Sequence, residues 1–414
     1  MVYLRSEGMN MTKQRYFSLI LILGLLTALG PFSIDMYLPG FRDIADNLHT
    51  TVARVSLSLS SYFIGISLGQ LLYGPLLDRH GRKKPLYAGL LLYILASAAC
   101  LRVTSINMLI VLRFVQAVGS CGAAVGSMAM VRDLFEVKES AKVFSLLLLV
   151  VGASPMIAPT VGGYVISLFG WRAVFVILLI MGVLIMLLTI WFLPESAQAD
   201  PSFSLLPGPI TRNFISVLKV RAFLTYALAG SLSFSGLLAY VSGSPNVFMD
   251  IYHVDKKVYG WIFAGLSVGF IGFSQFNTLL LKRYSSRQII RIAMIAQVLV
   301  IGVFLGGNMA GWYGLYGTIT FIFLFLVCMG FIYPNAAALS LAPFSRNAGS
   351  ASAIMGAMQM GIGALASVAV SVFSNGTATP MIAIMATTSA LALVILFTWG
   401  VKAETQALNA LKIE

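Results

Sequence analysis

Long apolar runs recur along the whole chain, separated by short polar or charged segments. A membrane-spanning helix needs about 20 mainly apolar residues to cross about 30 Å of hydrocarbon. The runs predict twelve spans, at residues 16–38, 56–77, 85–106, 107–130, 143–168, 172–193, 222–249, 258–281, 290–309, 314–336, 348–373 and 379–400. Only 10% of the 414 residues are charged, against about 25% in a soluble domain. The pattern therefore predicts an all-α membrane protein.

The basic residues predict how these spans are oriented. With the N-terminus inside, the inner segments and span ends carry 20 of the 27 Lys and Arg residues, and the outer ones carry 6. Because cytoplasmic loops are enriched in Lys and Arg, we expect both termini to be cytoplasmic. The net charge of +13 does not indicate nucleic-acid binding, since the basic residues lie between apolar runs.

The longest inner connection divides the chain into equal parts. We predict an N-terminal leader at 1–15, six-helix bundles at 16–193 and 222–400, a linker at 194–221 and a cytoplasmic tail at 401–414. The linker contains Pro194, Pro201, Pro207 and Pro209. Two equal halves suggest an internal repeat, as in many secondary transporters. The alternative is a single unpatterned bundle with one long loop.

The loop between spans 2 and 3 carries a specific motif. It reads Gly74-Pro75-Leu76-Leu77-Asp78-Arg79-His80-Gly81-Arg82-Lys83-Lys84-Pro85. The pattern G-x-L-x-D-R-x-G-R-[KR] resembles the signature loop of the major facilitator superfamily. A generic basic loop would explain the cations but not Gly74 and Asp78. The second half keeps Lys282 and Arg283 but has Leu281 where the Asp would stand, so a symmetric gate is not expected.

Three further stretches are similar to the same superfamily. Span 4 contains Arg113 and Gln116 in an R-x-x-Q-x-x-G pattern, and span 1 ends in Asp35-Met36-Tyr37-Leu38-Pro39, which resembles the Bcr/CflA branch of drug:proton antiporters. Span 5 resembles the antiporter signature helix, through Gly152, Pro155, Pro159, Gly162 and Gly163. The resemblance implies the major facilitator fold, with twelve helices in two pseudo-symmetric six-helix bundles, and proton-coupled export by alternating access.

Two ionisable residues lie clearly inside predicted spans, Asp35 and Arg113. Buried charges in a bilayer are costly and usually functional. At 1.5 Å per residue they lie about 6 Å and about 9 Å below the outer face, so we expect them to meet across a cavity, directly or through water. Our hypothesis is that Asp35 binds the driving proton and senses cationic substrates. The alternative is a helix-end Asp satisfied by interfacial water. For Arg113, the alternative to proton coupling is bracing of the bundle.

Other residues have predicted roles at the gates and in the cavity. Asp78 and Asp133 are expected to form a cytoplasmic latch with Arg79 and Arg82. The resemblance implies that this latch docks on span 11, near Ser345 and Asn347. The alternative is a solvated loop that only sets the topology. Pro155 and Pro159 each remove a backbone hydrogen bond, which predicts a hinge or seal between the halves, or a simple kink. Candidate liners of the substrate cavity are Tyr37, Tyr62, Gln116, Tyr240, Asn335 and Gln359.

These features favour an exporter of drugs or other small organic molecules. The first alternative is an exporter of a specific metabolite, such as an amino acid, nucleoside or peptide. A membrane enzyme is disfavoured because the three histidines lie in loops without metal-ligand spacing, and a channel because no filter segment is visible. No phosphate-binding loop exists to use ATP. We expect a monomer without cofactors whose partners are a small-molecule substrate, protons and the lipid bilayer.

Overall fold

The structure, a computed structural model, describes residues 13–200, 205, 207–344 and 348–411. Over these residues it contains helices and connecting turns but no strand. The helices are α1 (Lys13–Asp35), α2 (Phe41–Asn47), α3 (Val52–His80), α4 (Lys83–Cys100), α5 (Ile106–Leu134), α6 (Val137–Phe169), α7 (Arg172–Phe192), α8 (Pro207–Leu218), α9 (Arg221–Pro245), α10 (Lys256–Leu280), α11 (Ser286–Met309), α12 (Leu315–Leu341), α13 (Ala348–Val372) and α14 (Thr379–Leu411).

Twelve of these helices correspond to the predicted spans. Within the described residues, eleven segments are long and apolar enough to cross a membrane. The remaining span, α4, is the shortest, with 18 residues, and these include Lys83, Lys84 and Pro85 at its start. The end of the bundle where α1 begins is called here the terminal face, and the other end the opposite face.

The first span is longer than predicted. We expected it to end near residue 38, but a 3-10 turn at Leu38–Gly40 links α1 to α2, and one span covers Gln14–Asn47. Leu38, Phe41 and Ile44 are fully buried, because this apolar stretch packs into the bundle despite the proline and charges around it. Asp35 is the last residue of α1, so it lies directly before this break in the helical chain.

The two halves of the chain pack in the same pattern. In the first half α5 packs against both α3 and α4, and in the second half α12 packs against both α10 and α11. Each half buries its polar backbone within helices, as the hydrocarbon environment requires. Large apolar side chains such as Leu149, Trp191 and Leu365 remain exposed on the outside, where they suit contact with lipid tails.

Local sequence signals determine where several helices begin. Thr51, Ser105 and Asp255 precede α3, α5 and α10, and each side chain accepts a hydrogen bond from a backbone N–H in the first turn. Ser285 and Gln288 form a capping box at the start of α11. Such caps satisfy N–H groups that have no partner within the helix.

The predicted linker contains a helix of its own. Within residues 194–221, α8 packs against α9 and α13. Val217 is fully buried and Phe214 packs beside it against α9. Asn213 also donates a hydrogen bond to the Ser350 hydroxyl at the start of α13, at 2.9 Å. The second part of the linker is therefore attached to the C-terminal half.

Candidate functional site

The signature loop forms a compact ion-paired turn at the terminal face. Arg82 donates from Nη1 to Asp78 Oδ1 and from Nε to Asp133 Oδ2, both at 2.8 Å. Burial alone lowers the pKa of Arg82, but hydrogen bonds and charge from Asp133 and Asp78 raise it above its usual value. The turn thus joins the ends of α3 and α5, and it brings together three of the predicted latch residues.

The remaining residues of the motif have different environments. Arg79 is half-buried beside this turn. Gly81 has a φ of +79°, in the left-handed region that favours glycine. A side chain at Gly74 would meet open space, so packing in this conformation does not explain a glycine there. The predicted docking residues Ser345 and Asn347 lie outside the described residues.

This loop has a second partner that was not predicted from the sequence, the start of the linker. The Glu195 carboxylate accepts hydrogen bonds from the backbone N–H groups of Arg82, at 2.7 Å, and Lys83, at 3.1 Å. The Ser196 hydroxyl donates to Asp133 Oδ2 at 2.9 Å. We call residues 195–200 the linker strap. Its signal in the sequence was an acidic residue directly after span 6, which could neutralise the exposed N-terminus of α4.

The helix with the antiporter signature, α6, lies at the boundary between the halves. A Cβ added to Gly163 would lie 2.7 Å from the Lys256 carbonyl oxygen on α10, and one added to Gly162 would clash with the Met36 carbonyl oxygen. Thr160 Oγ1 donates to the Gly260 carbonyl at 3.1 Å. The two glycines therefore allow α6 to approach both α1 and α10 closely.

The other motif residues of α6 lie nearer the terminal face. A Cβ added to Gly152 would make ordinary contacts with Ile271, at 3.5 Å. The helix runs without interruption through Pro155 and Pro159. A hinge at these prolines stays a prediction, because the structure contains one continuous helix.

Arg113 is completely buried inside the N-terminal half. Its Nη2 donates to the Ser33 carbonyl at 2.6 Å, and Nη1 donates to Gln116 Oε1. Its Cζ lies 4.3 Å from the ring centroid of Tyr37 and 4.2 Å from that of Tyr62. A guanidinium held between aromatic faces gains cation–π stabilisation that offsets part of its desolvation. These contacts attach α5 to α1 and α3.

A shell of hydroxyl groups surrounds this arginine. Gln116 Nε2 donates to Ser97 Oγ at 2.7 Å, and the Ser33 and Tyr93 hydroxyls lie 2.8 Å apart. The Tyr62 and Ser120 hydroxyls are 2.7 Å apart. Arg113 Nε has no hydrogen-bond partner among the described residues. The arginine is therefore the centre of a network that holds the first half together.

Asp35 lies apart from this network. Only 5% of its surface is exposed, yet no described residue donates a hydrogen bond to it or forms an ion pair with it. No direct ion pair joins Asp35 to Arg113 in this conformation, because Arg113 donates to the Ser33 carbonyl on the same helix; an approach through water stays a prediction. Asp35 interacts electrostatically with the hydroxyl groups of Tyr240 and Tyr259. Both tyrosines belong to the C-terminal half, so Asp35 faces the boundary between the halves.

The six residues predicted to line the cavity lie in different parts of the structure. Tyr37, Tyr62 and Gln116 surround Arg113, as described above. Tyr240 is stacked on Phe263, with ring centroids 5.6 Å apart, and its buried hydroxyl has no partner within the described chain. Asn335 donates to Asn277 Oδ1 at 2.7 Å inside the C-terminal half, and Gln359 is buried on α13. A role in a cavity stays a prediction for all six.

A row of serines joins α3 to the C-terminal half. The Ser60 and Ser367 hydroxyls are 2.6 Å apart, and Ser367 donates to Ser242 Oγ at 2.8 Å. Ser56 donates to the Ser242 carbonyl at 3.1 Å, and Ser67 to the Ala357 carbonyl at 2.8 Å. These residues form the serine seam. Isolated serines in spans carried too little signal for sequence analysis to select them.

Twelve spans in two similarly packed halves, with a signature loop at one face and a carboxylate at the boundary, define a membrane transporter. The chain belongs to the Major Facilitator Superfamily, whose family model matches residues 23–367. This confirms the family resemblance and the fold class predicted from the sequence.

Two curated relatives match nearly the whole chain. An uncharacterized MFS-type transporter, YdgK of Bacillus subtilis, is 34% identical over 92% of this chain and 94% of its own. A bicyclomycin resistance protein homolog of Haemophilus influenzae is 32% identical over 90% of this chain and 94% of its own. The second name is consistent with the Bcr/CflA branch.

The fold is also that of a solved transporter. A bacterial homolog of the human lysosomal transporter Spinster, in an inward-facing and occupied conformation, superposes with a TM-score of 0.75, covering 94% of this chain and 97% of its own. The sequence identity is 13%, so this likeness concerns the fold alone.

Proposed function

We propose that this protein is a proton-coupled antiporter that exports drugs or other small organic molecules by alternating access. The observation that carries the proposal is Asp35, a buried carboxylate without a partner among the described residues, at the boundary between the halves. An uncompensated charge is costly in a low-dielectric site. The residue therefore favours the protonated form when the halves enclose it, and it releases the proton when water reaches it.

The neighbours of Asp35 support a role in coupling. Tyr240 and Tyr259, in the other half of the molecule, are close enough to interact electrostatically with its charge, so separation of the halves changes its surroundings. Tyr259 is held by a 2.8 Å hydrogen bond to Ser244, whereas the Tyr240 hydroxyl is free to respond. A proton on Asp35 removes the charge that would otherwise face these rings, and in this way it links protonation to conformation.

Within this proposal Arg113 is a positioning residue. It holds the Ser33 carbonyl, two residues before Asp35, and so fixes the end of α1.

The membrane is the bacterial inner membrane. The terminal face is cytoplasmic, because most basic residues lie at that face. The protein acts as a monomer on small organic substrates, and its homology to a bicyclomycin resistance protein homolog favours drugs over a single metabolite.

The first test is Asp35→Asn in proteoliposomes with an imposed pH gradient. We expect uphill, gradient-driven export to fall to background, since the amide cannot exchange a proton. Downhill exchange of labelled substrate should persist, because the fold and the cavity remain. The substrates are a drug panel that includes bicyclomycin, assayed beside a panel of amino acids, nucleosides and peptides.

The exposed Glu139 on α6 provides the matched control, and Glu139→Gln should export at the normal rate. Undiminished uphill export by Asp35→Asn would refute the proton-binding role. Gradient-driven movement of metabolites alone would refute the drug assignment while leaving the coupling scheme intact.

A further inference from the structure

Two charged residues that follow one another on α2 each face an opposite charge on the other half. Lys256 Nζ at the start of α10 lies 2.6 Å from both carboxylate oxygens of Asp43. Arg42 Nε lies 3.9 Å from Asp250 Oδ1, in the π-helical turn Asn246–Ile251. The order of the charges is crossed, so each half contributes one cation and one anion.

These ion pairs lie where the halves are closed at the opposite face. At the Lys256 backbone, α10 packs closely against Gly163 on α6. The side chains of Asp43 and Lys256 are 28% and 30% exposed. An open cavity of about 390 Å³ bounded by Arg42, Asp43 and Lys256 admits water. The pairs are thus part of the closed interface but are not sealed from solvent.

The ion pairs of the signature loop are arranged differently. Arg82 pairs with Asp78 and Asp133, and all three belong to the N-terminal half. Those pairs shape one half without joining it to the other. The pairs of Asp43 and Arg42 cross the boundary, and they must break whenever the opposite face opens.

We propose that Arg42, Asp43, Asp250 and Lys256 form an electrostatic latch that holds the opposite face closed and opens in each transport cycle. Water-exposed ion pairs change an equilibrium by only about 1.5- to 5-fold each, which suits a contact that must form and break reversibly. Two crossed pairs also favour a single register of α2 against α10, because a shifted register would bring like charges together. The inference depends on the fold and the interface, and it is independent of the substrate and of proton coupling.

The test is a charge exchange read out as a distance. Spin labels are attached at Thr104→Cys, in the α4–α5 turn, and at Asn375→Cys, before α14. Pulsed electron paramagnetic resonance then measures the distance between the two halves at the opposite face. Lys256→Asp and Asp43→Lys each place like charges together, and each should raise the ratio of open to closed protein by about fivefold or more. The double variant restores the attraction, so its distances should return to those of the parent.

Arg54→Asp makes the same change in net charge as Lys256→Asp on the same face, but Arg54 contacts Asn107 within its own half. Its distances should match the parent. Should a reversal variant fail to fold, Lys256→Gln and Asp43→Asn should shift the distances in the same direction to a smaller extent. The latch is overturned if the folded single variants resemble Arg54→Asp, or if the double variant stays as open as the single ones.

Discussion

At the scale of single residues, the sequence identified the two charges inside the spans but not their relation. Spacing along the chain predicted similar depths for Asp35 and Arg113, yet it could not predict which way each side chain points. Two of the aromatic residues predicted to line a cavity, Tyr37 and Tyr62, enclose Arg113 in the structure. The charge of Arg113 is therefore compensated by carbonyl, amide and ring contacts, and Asp35 is left without a counter-charge.

This arrangement leads to a prediction for Arg113. Arg113→Met removes the donors to Ser33 and Gln116 but fills most of the volume, and we expect it to destabilise the protein by roughly 2–4 kcal/mol. Arg113→Lys keeps the charge between the rings and should recover about half of that loss. Thermal unfolding in detergent measures both variants, and transport in proteoliposomes shows whether export falls in proportion.

The same experiment distinguishes a bracing role of Arg113 from a role in proton coupling. If Arg113→Met were as stable as the parent protein yet exported nothing against a gradient, Arg113 would act in coupling instead of bracing. A parallel decline in stability and transport supports the positioning role.

At the scale of helices, existence and type were predictable, because apolar runs of membrane length leave few alternatives. The end of the first span was not, since a proline and two charges at residues 39–43 resemble an exit from the membrane. The linker was also incompletely predicted. The sequence predicted only a linker at 194–221, whereas tertiary contacts of Phe214 and Val217 stabilise α8 there.

The glycines of α6 differ in a testable way. Gly163→Ala would place a methyl group 2.7 Å from the Lys256 carbonyl, whereas Gly152→Ala makes only ordinary contacts. We expect Gly163→Ala to cost about 1–3 kcal/mol through overpacking and to reduce export several-fold. Gly152→Ala should be neutral or slightly stabilising, as alanine is the better helix former. Equal behaviour of the two variants in unfolding and export assays would contradict the close packing of α6 on α10.

The linker strap gives a prediction about the start of α4. Glu195→Ala removes the acceptor for the backbone N–H groups of Arg82 and Lys83, which should cost about 0.5–2 kcal/mol. Hydrogen exchange of these two amides should become faster. Glu136→Ala is the control, because Glu136 precedes α6 without making a side-chain cap. Unchanged exchange at Arg82 and Lys83 in Glu195→Ala would show that the strap contributes nothing to this turn.

At the scale of the whole molecule, the two halves share a helix-packing pattern, but the acidic residue of the signature loop is present only in the first half. The sequence showed this difference through Leu281, which replaces the acidic residue of the signature loop in the second half. It did not show the ion pairs between the halves, because those pairs join residues more than 200 positions apart. Such contacts become visible only when the mutual arrangement of the halves is known.

The serine seam has a consequence for how easily the halves part. The Ser56 hydroxyl also lies 3.2 Å from the Val52 carbonyl oxygen of its own helix, and the Ser60 hydroxyl lies 3.3 Å from the Ser56 carbonyl oxygen. Each hydroxyl thus has a substitute acceptor one turn away, and rotation about a single side-chain bond is enough to use it. Separation of α3 from the other half therefore strands neither hydroxyl, and this part of the interface can come apart and rejoin at a small enthalpic cost.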